Sequence, residues 1–188
     1  MENARSGGTP RRKRTRLFGF DYSVPGSYFV TACTQARLCL FGSITGTEMI
    51  PNPVGIMIES WWLELKNKYP HIDLDRYRVM PNHIHGIIGI MEPEGSPHRG
   101  SPTLDEMYGW FSTMTTNEYI RRVREDGWKK FPGRLWQRSF FDHIIRNEDE
   151  LARIRYYIET NPERWNIDTE NPGASSRDDF DFSSNPIL

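Results

Sequence analysis

The stretch 74-LDRYRVMPNHIHGIIGIM-91 predicts two β-strands that meet at a tight turn. Residues 83–91 are rich in isoleucine, and residues 74–79 carry Leu74, Tyr77 and Val79 between charged side chains; β-branched and aromatic residues favour strands. Met80-Pro81-Asn82 lies between them and has the composition of a turn, because proline fixes φ and asparagine tolerates turn conformations.

His83 and His85 lie two positions apart on the second of these strands. Alternate side chains of a strand point to the same face, so both imidazoles project together and Ile84 points to the opposite face. Two neutral imidazoles side by side form half of a divalent-metal site, and a third ligand must come from another element. Taken alone, the pair leaves open the alternative of two exposed strand histidines that bind nothing.

Helices and further strands follow a regular order along the chain. The predicted elements are a strand at 28–33, a helix at 53–69, strands at 74–79 and 83–91, a helix at 103–124, a strand at 140–145 and a helix at 147–161. A short extended piece at 37–44 either continues the first strand or forms a hairpin with it. This order predicts an α+β, ferredoxin-like split βαβ fold, with an antiparallel sheet, helices on one face and an additional C-terminal helix.

The last helix carries a second group of polar residues. At about 100° per residue, Ile154 and Ile158 form its buried stripe. Tyr157 and Asn161 lie on one flank of that stripe, and Tyr156 points away from it. Because they are four residues apart, Tyr157 and Asn161 can reach the same site. An aromatic residue at the edge of a core is more often simple packing, and that alternative stays open at this point.

Charge is unevenly distributed along the 188 residues, although the net charge is only −1. Residues 1–16 hold six basic side chains and one acidic side chain, whereas residues 163–188 hold six acidic and two basic side chains. Both ends are poor in apolar residues. We therefore expect a basic disordered arm at 1–19, a folded domain at 20–165 and an acidic disordered tail at 166–188.

Several classes of protein are excluded by composition. The longest apolar run, at 86–91, is far too short to span a bilayer. The basic N-terminus is not followed by an apolar segment, so it does not have the pattern of a secretory signal. Cys33 and Cys39 are too few for a disulfide framework and do not have zinc-site spacing. These observations favour a cytoplasmic protein.

Four motifs resemble those of the REP-associated tyrosine transposases, which are relatives of the single-tyrosine transposases of bacterial insertion sequences within the HUH endonuclease superfamily. They occur in the family's order and span about residues 20–165. The matching stretches are 28-YFVT-31, 80-MPNHIHG-86, 135-LWQRSFFDH-143 and 157-YIETNP-162.

The resemblance implies both a chemistry and a set of site residues. It implies that His83, His85 and Asn161 bind a divalent metal, Mg²⁺ or Mn²⁺, and that Tyr157 on the C-terminal helix is the nucleophile. The implied activity is that of a single-stranded DNA endonuclease and strand transferase, a transposase that forms a covalent 5′-phosphotyrosine intermediate. The implied substrate is a hairpin-forming repeat with a short flanking sequence.

Basic residues outside the histidine and tyrosine motifs are candidates for phosphate contacts on charge alone. They are Arg11, Arg12, Lys13 and Arg14 in the arm, and Arg121, Arg122, Arg124, Lys129 and Lys130 in the body. Two alternative functions stay open, a non-catalytic module that binds single-stranded nucleic acid and a metal-dependent nuclease that uses water. No membrane partner is expected, and both a monomer and a homodimer agree with the sequence.

Overall fold

The computed structural model describes residues 24–92 and 102–174. Within them the chain forms a four-stranded sheet, a separate two-stranded hairpin and three α-helices. The elements are β1 (Gly26–Cys33), β2 (Gly42–Thr45), β3 (Glu48–Pro51), α1 (Pro53–Lys68), β4 (Ile72–Val79), β5 (His83–Ile90), α2 (Leu104–Glu125), β6 (Phe141–Ile145) and α3 (Glu148–Thr160). None of these helices is long and apolar enough to cross a membrane.

The main sheet has the strand order β4-β5-β1-β6, and all neighbouring strands are antiparallel. β1 and β5 occupy its centre. Their register places Cys33 opposite His83 and Thr31 opposite His85. The α+β, ferredoxin-like architecture that the order of elements predicts is confirmed.

Different helices cover the two faces of the sheet. Val30 and Ile84 belong to the main core, which α1 and α2 complete on one face. Phe29 and Ile87 pack against Ile158 of α3 on the other face. Because side chains alternate along a strand, β5 buries apolar groups under α1 and α2 and presents its two histidines to α3.

The prediction that residues 37–44 continue β1 or form a hairpin with it is wrong. The chain leaves β1 through a short 3₁₀ turn, Gln35–Arg37, in which Ala36 and Arg37 have φ values of 56° and 55°. This left-handed turn directs the chain away from the sheet, so the segment neither continues β1 nor pairs with it. β2 instead forms a separate antiparallel hairpin with β3.

The helix starts agree with the capping signals in the sequence. The Asn52 side chain accepts hydrogen bonds from the first turn of α1, and Asn147 does the same for α3. Thr103 and Glu106 form a complete capping box at the start of α2. These caps satisfy backbone N–H groups that have no partner within their own helix.

The disordered tail predicted from residue 166 is wrong for residues 166–174. Trp165–Ile167 forms a 3₁₀ turn, and Asp168 is buried. Asn171 donates a side-chain hydrogen bond to the carbonyl oxygen of Trp165, at 2.7 Å. The segment folds back because it carries apolar side chains and turn-forming polar side chains in addition to acids. The predicted arm at 1–19 and residues 175–188 lie outside the described residues.

Gly86 on β5 allows α1 to approach the sheet closely. A Cβ atom at this position would overlap the Trp62 ring, which is itself buried. We expect Gly86→Ala to lower the free energy of unfolding by about 1–3 kcal/mol, because overpacking forces neighbouring groups apart. Gly89→Ala is the matched control in the same strand, since its Cβ would meet only Asp73 at an ordinary 3.8 Å. Urea denaturation of both variants tests this, and equal stabilities would contradict it.

Candidate metal and tyrosine site

The two histidines of β5 direct one nitrogen each at a common point. The Nε2 atoms of His83 and His85 are 2.7 Å apart. Both side chains are buried, with exposed fractions of 0% and 2%. Two nitrogen atoms converging in this way can share one proton or bind one cation.

Asn82 fixes the orientation of His83. Its amide nitrogen donates hydrogen bonds to the carbonyl oxygens of Arg37 (3.1 Å) and Glu170 (2.7 Å). Its Oδ1 therefore faces His83 and accepts a hydrogen bond from Nδ1–H, at 2.8 Å. With the proton on Nδ1, the Nε2 atom of His83 presents a lone pair to the site.

Thr31 of β1 performs the corresponding role for His85. Its hydroxyl oxygen lies 2.9 Å from Nδ1 of His85. The two residues are cross-strand partners in the sheet register, so the backbone itself sets this contact. A second hydrogen bond of this kind is the usual support of a metal-binding imidazole.

Burial keeps both imidazoles neutral. Desolvation lowers the pKa of His83 well below its ordinary value, and the charges of His85 and Arg37 lower it further. Desolvation also lowers the pKa of His85, although the carboxylates of Asp168 and Glu170 oppose that shift. Neutral imidazole is the form that binds a metal.

Asn161 and Asp168 place side-chain oxygen atoms near the histidine pair. The amide nitrogen of Asn161 donates to Oδ2 of Asp168 at 2.8 Å, and Oδ1 of Asn161 is buried without a hydrogen-bond partner. His83, His85 and Asp168 each offer a ligand atom, and these atoms lie within 4.8 Å of one another. A buried acceptor without a donor is costly, and a cation at this point would satisfy it. The donor set of two nitrogens and up to two oxygens thus fits a divalent metal.

Tyr157 packs directly beside the histidine pair. Its ring centroid lies 5.3 Å from that of His85 and 6.1 Å from that of Phe29. Burial raises the pKa of the Tyr157 phenol well above its ordinary value, and the Asp168 carboxylate adds to the shift. Tyr156 is 54% exposed, so the predicted helical phase of these two tyrosines is confirmed.

Ion pairs with β4 hold α3 over this face of the sheet. Arg155 donates to both carboxylate oxygens of Asp75, with a shortest distance of 2.5 Å. Arg76 pairs with Glu159 at 2.8 Å. The hydrogen bond from Arg155 lowers the pKa of Asp75 below its ordinary value. These contacts fix the position of Tyr157 relative to the histidines.

Sequence reasoning missed three members of this site. Asp168 falls in the acidic tail that composition predicts, and Thr31 and Asn82 occur only within strand and turn motifs of the sequence. Trp165 and Ile167, two apolar residues in an otherwise polar stretch, were the signal that this segment folds. The role of Thr31 depends on strand register, which pattern alone does not give.

The other candidate residues lie in varied surroundings. Arg121 and Arg122 form ion pairs with carboxylates of their own helix, including Glu118 at 2.6 and 2.8 Å, which reduces the charge they can offer to phosphate. Arg124, Lys129 and Lys130 are exposed. His143 hydrogen-bonds Glu150 of α3 at 2.7 Å. The cations at positions 11–14 lie outside the described residues.

Comparisons with known proteins identify a solved structure with a similar fold and a relative with a similar sequence. No protein-family model matches the chain. A solved structure of a REP-associated tyrosine transposase bound to a REP hairpin matches with a TM-score of 0.54 and 19% identity, over 92% of this chain and 98% of that one. An uncharacterized protein of Haemophilus influenzae is 31% identical over 177 residues, 89% of this chain and 97% of that protein.

The chain therefore has the fold of the REP-associated tyrosine transposases, which the four sequence motifs led us to expect. It belongs to the same family as the Haemophilus influenzae protein.

The hydroxyl of Thr31 provides a test of the metal site. We expect Thr31→Val to weaken Mn²⁺ binding by about 10- to 100-fold, because it removes the partner of His85 Nδ1 without changing the side-chain shape. Thr31→Ser keeps the hydroxyl and is expected to bind Mn²⁺ like the wild type. Isothermal titration calorimetry measures both affinities. Equal binding by the valine and serine variants would show that this hydrogen bond does not support the site.

Proposed function

We propose that the protein is a metal-dependent single-stranded DNA endonuclease and strand transferase of the transposase type. The observation that carries the proposal is the position of the Tyr157 phenol on α3, against the ring of His85 and beside two converging Nε2 atoms. A nucleophile of this kind next to a divalent-metal site suits attack on a phosphodiester.

His83, His85 and Asn161 are the residues that we assign to the metal, with Asp168 as an additional oxygen ligand. The oxygen atoms of Asn161 and Asp168 are ligands that suit both Mg²⁺ and Mn²⁺, and the two imidazoles are nitrogen ligands for a divalent metal. When bound, such an ion polarises the scissile phosphate and lowers the cost of developing negative charge. Thr31 and Asn82 keep the two imidazoles in the orientation that this requires.

Tyr157 attacks the phosphorus atom of one DNA phosphodiester. A bond forms between its phenolic oxygen and phosphorus, and the bond from phosphorus to the 3′ oxygen breaks. Burial keeps the Tyr157 phenol protonated before the reaction, so its proton passes to water only as the new bond forms, and the departing 3′ oxygen takes a proton from water. The 5′-phosphotyrosine bond retains the reactivity of the phosphodiester, so another 3′-hydroxyl can displace Tyr157 and join the strands without an external energy source.

The site favours a single strand as the substrate. Its metal-binding residues are buried between the sheet and α3, so a scissile phosphate must enter on a narrow and flexible backbone. The solved structure with this fold is of a transposase bound to a REP hairpin, which supports hairpin DNA as the partner to test first.

Two other functions explain less of the structure. A non-catalytic module that binds single-stranded nucleic acid gives no reason for a buried histidine pair beside an unsatisfied Asn161 oxygen. A metal-dependent nuclease that uses water leaves the position of Tyr157 without a role.

Labelled hairpin oligonucleotides from the DNA flanking the gene provide the test. We expect cleavage and a covalent protein–DNA band on denaturing gels in Mn²⁺ or Mg²⁺, and neither product in EDTA. Binding without cleavage across several hairpins would favour the non-catalytic module. Metal-dependent cleavage without a covalent band would favour the water-using nuclease.

A further inference from the structure

An open groove of about 1020 Å³ lies at the C-terminal end of β1. One wall is the 3₁₀ turn after that strand, and the other is the segment that leads to β6. The lining includes Gln35, Ala36, Arg37, Arg134, Gln137 and Arg138.

Backbone hydrogen bonds join the two walls. The amide of Gln35 donates to the carbonyl oxygen of Leu135 at 2.8 Å, and that of Gln137 donates to the carbonyl oxygen of Cys33 at 2.9 Å. The Gln137 side chain adds a bond to the carbonyl oxygen of Thr34, at 3.3 Å. The groove therefore has a fixed shape although its surface consists of loops.

The groove is lined by positive charge. Arg134 and Arg138 are exposed and form no ion pair with the residues that the structure describes. Arg37 pairs with Glu170 at 2.9 Å, and no lining residue is acidic. Arg121 and Arg122 differ from Arg134 and Arg138, because they form ion pairs with Glu118 of their own helix, α2. Two guanidinium groups without partners are suited to binding phosphates.

One end of the groove adjoins the metal site. The carbonyl oxygen of Arg37 accepts a hydrogen bond from Asn82, the residue that orients His83. Ala36 and Arg37 both have left-handed backbone conformations, which residues with side chains seldom adopt. Such conformations persist where the surrounding structure holds them and are common at functional sites.

We propose that this groove binds the single-stranded DNA next to the scissile phosphate, with Arg134 and Arg138 as its phosphate contacts. The proposal rests on the function proposed above. The amide side chains of Gln35 and Gln137 offer both donors and acceptors to the edges of unpaired bases. The groove adjoins, through Arg37 and Asn82, a buried site that an intact duplex cannot enter, which favours a single strand as its occupant.

Fluorescence anisotropy with two labelled probes tests the groove. One probe is a hairpin with a short single-stranded flank, and the other is the same hairpin without the flank. Arg134→Ala/Arg138→Ala is compared with Lys66→Ala/Lys68→Ala, which removes the same charge at the exposed end of α1. All variants carry Tyr157→Phe so that binding is measured without chemistry. Arg134→Lys/Arg138→Lys retains the charge and is expected to bind like its parent.

We expect the double arginine variant to lose roughly 25-fold in affinity for the flanked probe at about 0.1 M salt, with the salt dependence reduced by about 1.4 in slope. We expect its affinity for the hairpin without a flank to stay unchanged. We also expect Lys66→Ala/Lys68→Ala to bind both probes with unchanged affinity. An unchanged affinity for the flanked probe would overturn the proposal. An equal loss on both probes would overturn the assignment to a single strand.

The groove and the proposed function can fail separately. If wild-type protein forms the covalent adduct but the arginine variant binds the flanked probe normally, the groove assignment is wrong and the function stands. If the arginine variant behaves as expected and no adduct forms, the groove stands and the transferase mechanism is wrong.

Discussion

We expect Tyr157→Phe to abolish the covalent protein–DNA adduct and to lower metal-dependent cleavage by at least about 10³-fold, because it removes the oxygen that attacks in the proposed mechanism. The phenylalanine ring keeps the contacts with Phe29 and His85, so the fold and the metal site are retained. Denaturing gels with labelled hairpin DNA measure both products. Calorimetry is the control for folding, and we expect it to show Mn²⁺ binding by the variant like that of the wild type.

Tyr156→Phe is the matched control for this experiment. The two tyrosines are adjacent in sequence, but Tyr156 is 54% exposed and Tyr157 contacts His85. We expect wild-type adduct formation from Tyr156→Phe. An adduct that survives in Tyr157→Phe and disappears in Tyr156→Phe would show that the nucleophile is misassigned.

We expect His85→Ala to lower Mn²⁺ affinity by more than about 100-fold. In the proposed site His85 is itself a metal ligand, and removing a ligand weakens binding more than removing the hydrogen bond that orients a ligand, as in Thr31→Val. It removes one of the two converging Nε2 atoms. Metal binding to the folded state raises its stability in proportion to the logarithm of metal concentration, so Mn²⁺ raises the melting temperature of wild type and not of the variant. Calorimetry and thermal unfolding give two independent measurements.

His71→Ala is the control for the loss of a histidine. His71 is exposed and is not in the group of potential metal ligands found in the described residues. We expect wild-type Mn²⁺ affinity from this variant. If His85→Ala also kept wild-type affinity, the histidine pair would not be the metal site.

Much of the site could be predicted from the sequence because its signals are local. Strand alternation places His83 and His85 on one face, and helical phase separates Tyr157 from Tyr156. The structure confirms these two placements. Each rests on residues close together in one element, where backbone geometry fixes the direction of the side chain.

The remaining parts depend on contacts between distant segments. Asp168 reaches the histidines only because the chain turns back after α3, and acidic composition alone favours a tail there. Thr31 contacts His85 through strand register. The side chain of Asn82 bonds to backbone atoms of two remote segments, at Arg37 and Glu170. No periodicity in the sequence encodes such pairings.

The covalent bond between DNA and Tyr157 is the central claim, and peptide mass spectrometry of the adduct tests it most directly. The protein is incubated with hairpin DNA and Mn²⁺, the DNA is digested, and the modified peptide is located. The account predicts a nucleotide attached through a 5′ phosphate to Tyr157, formed in Mn²⁺ and absent in EDTA. Cleaved DNA with an unmodified protein, or attachment at Tyr156, would contradict it.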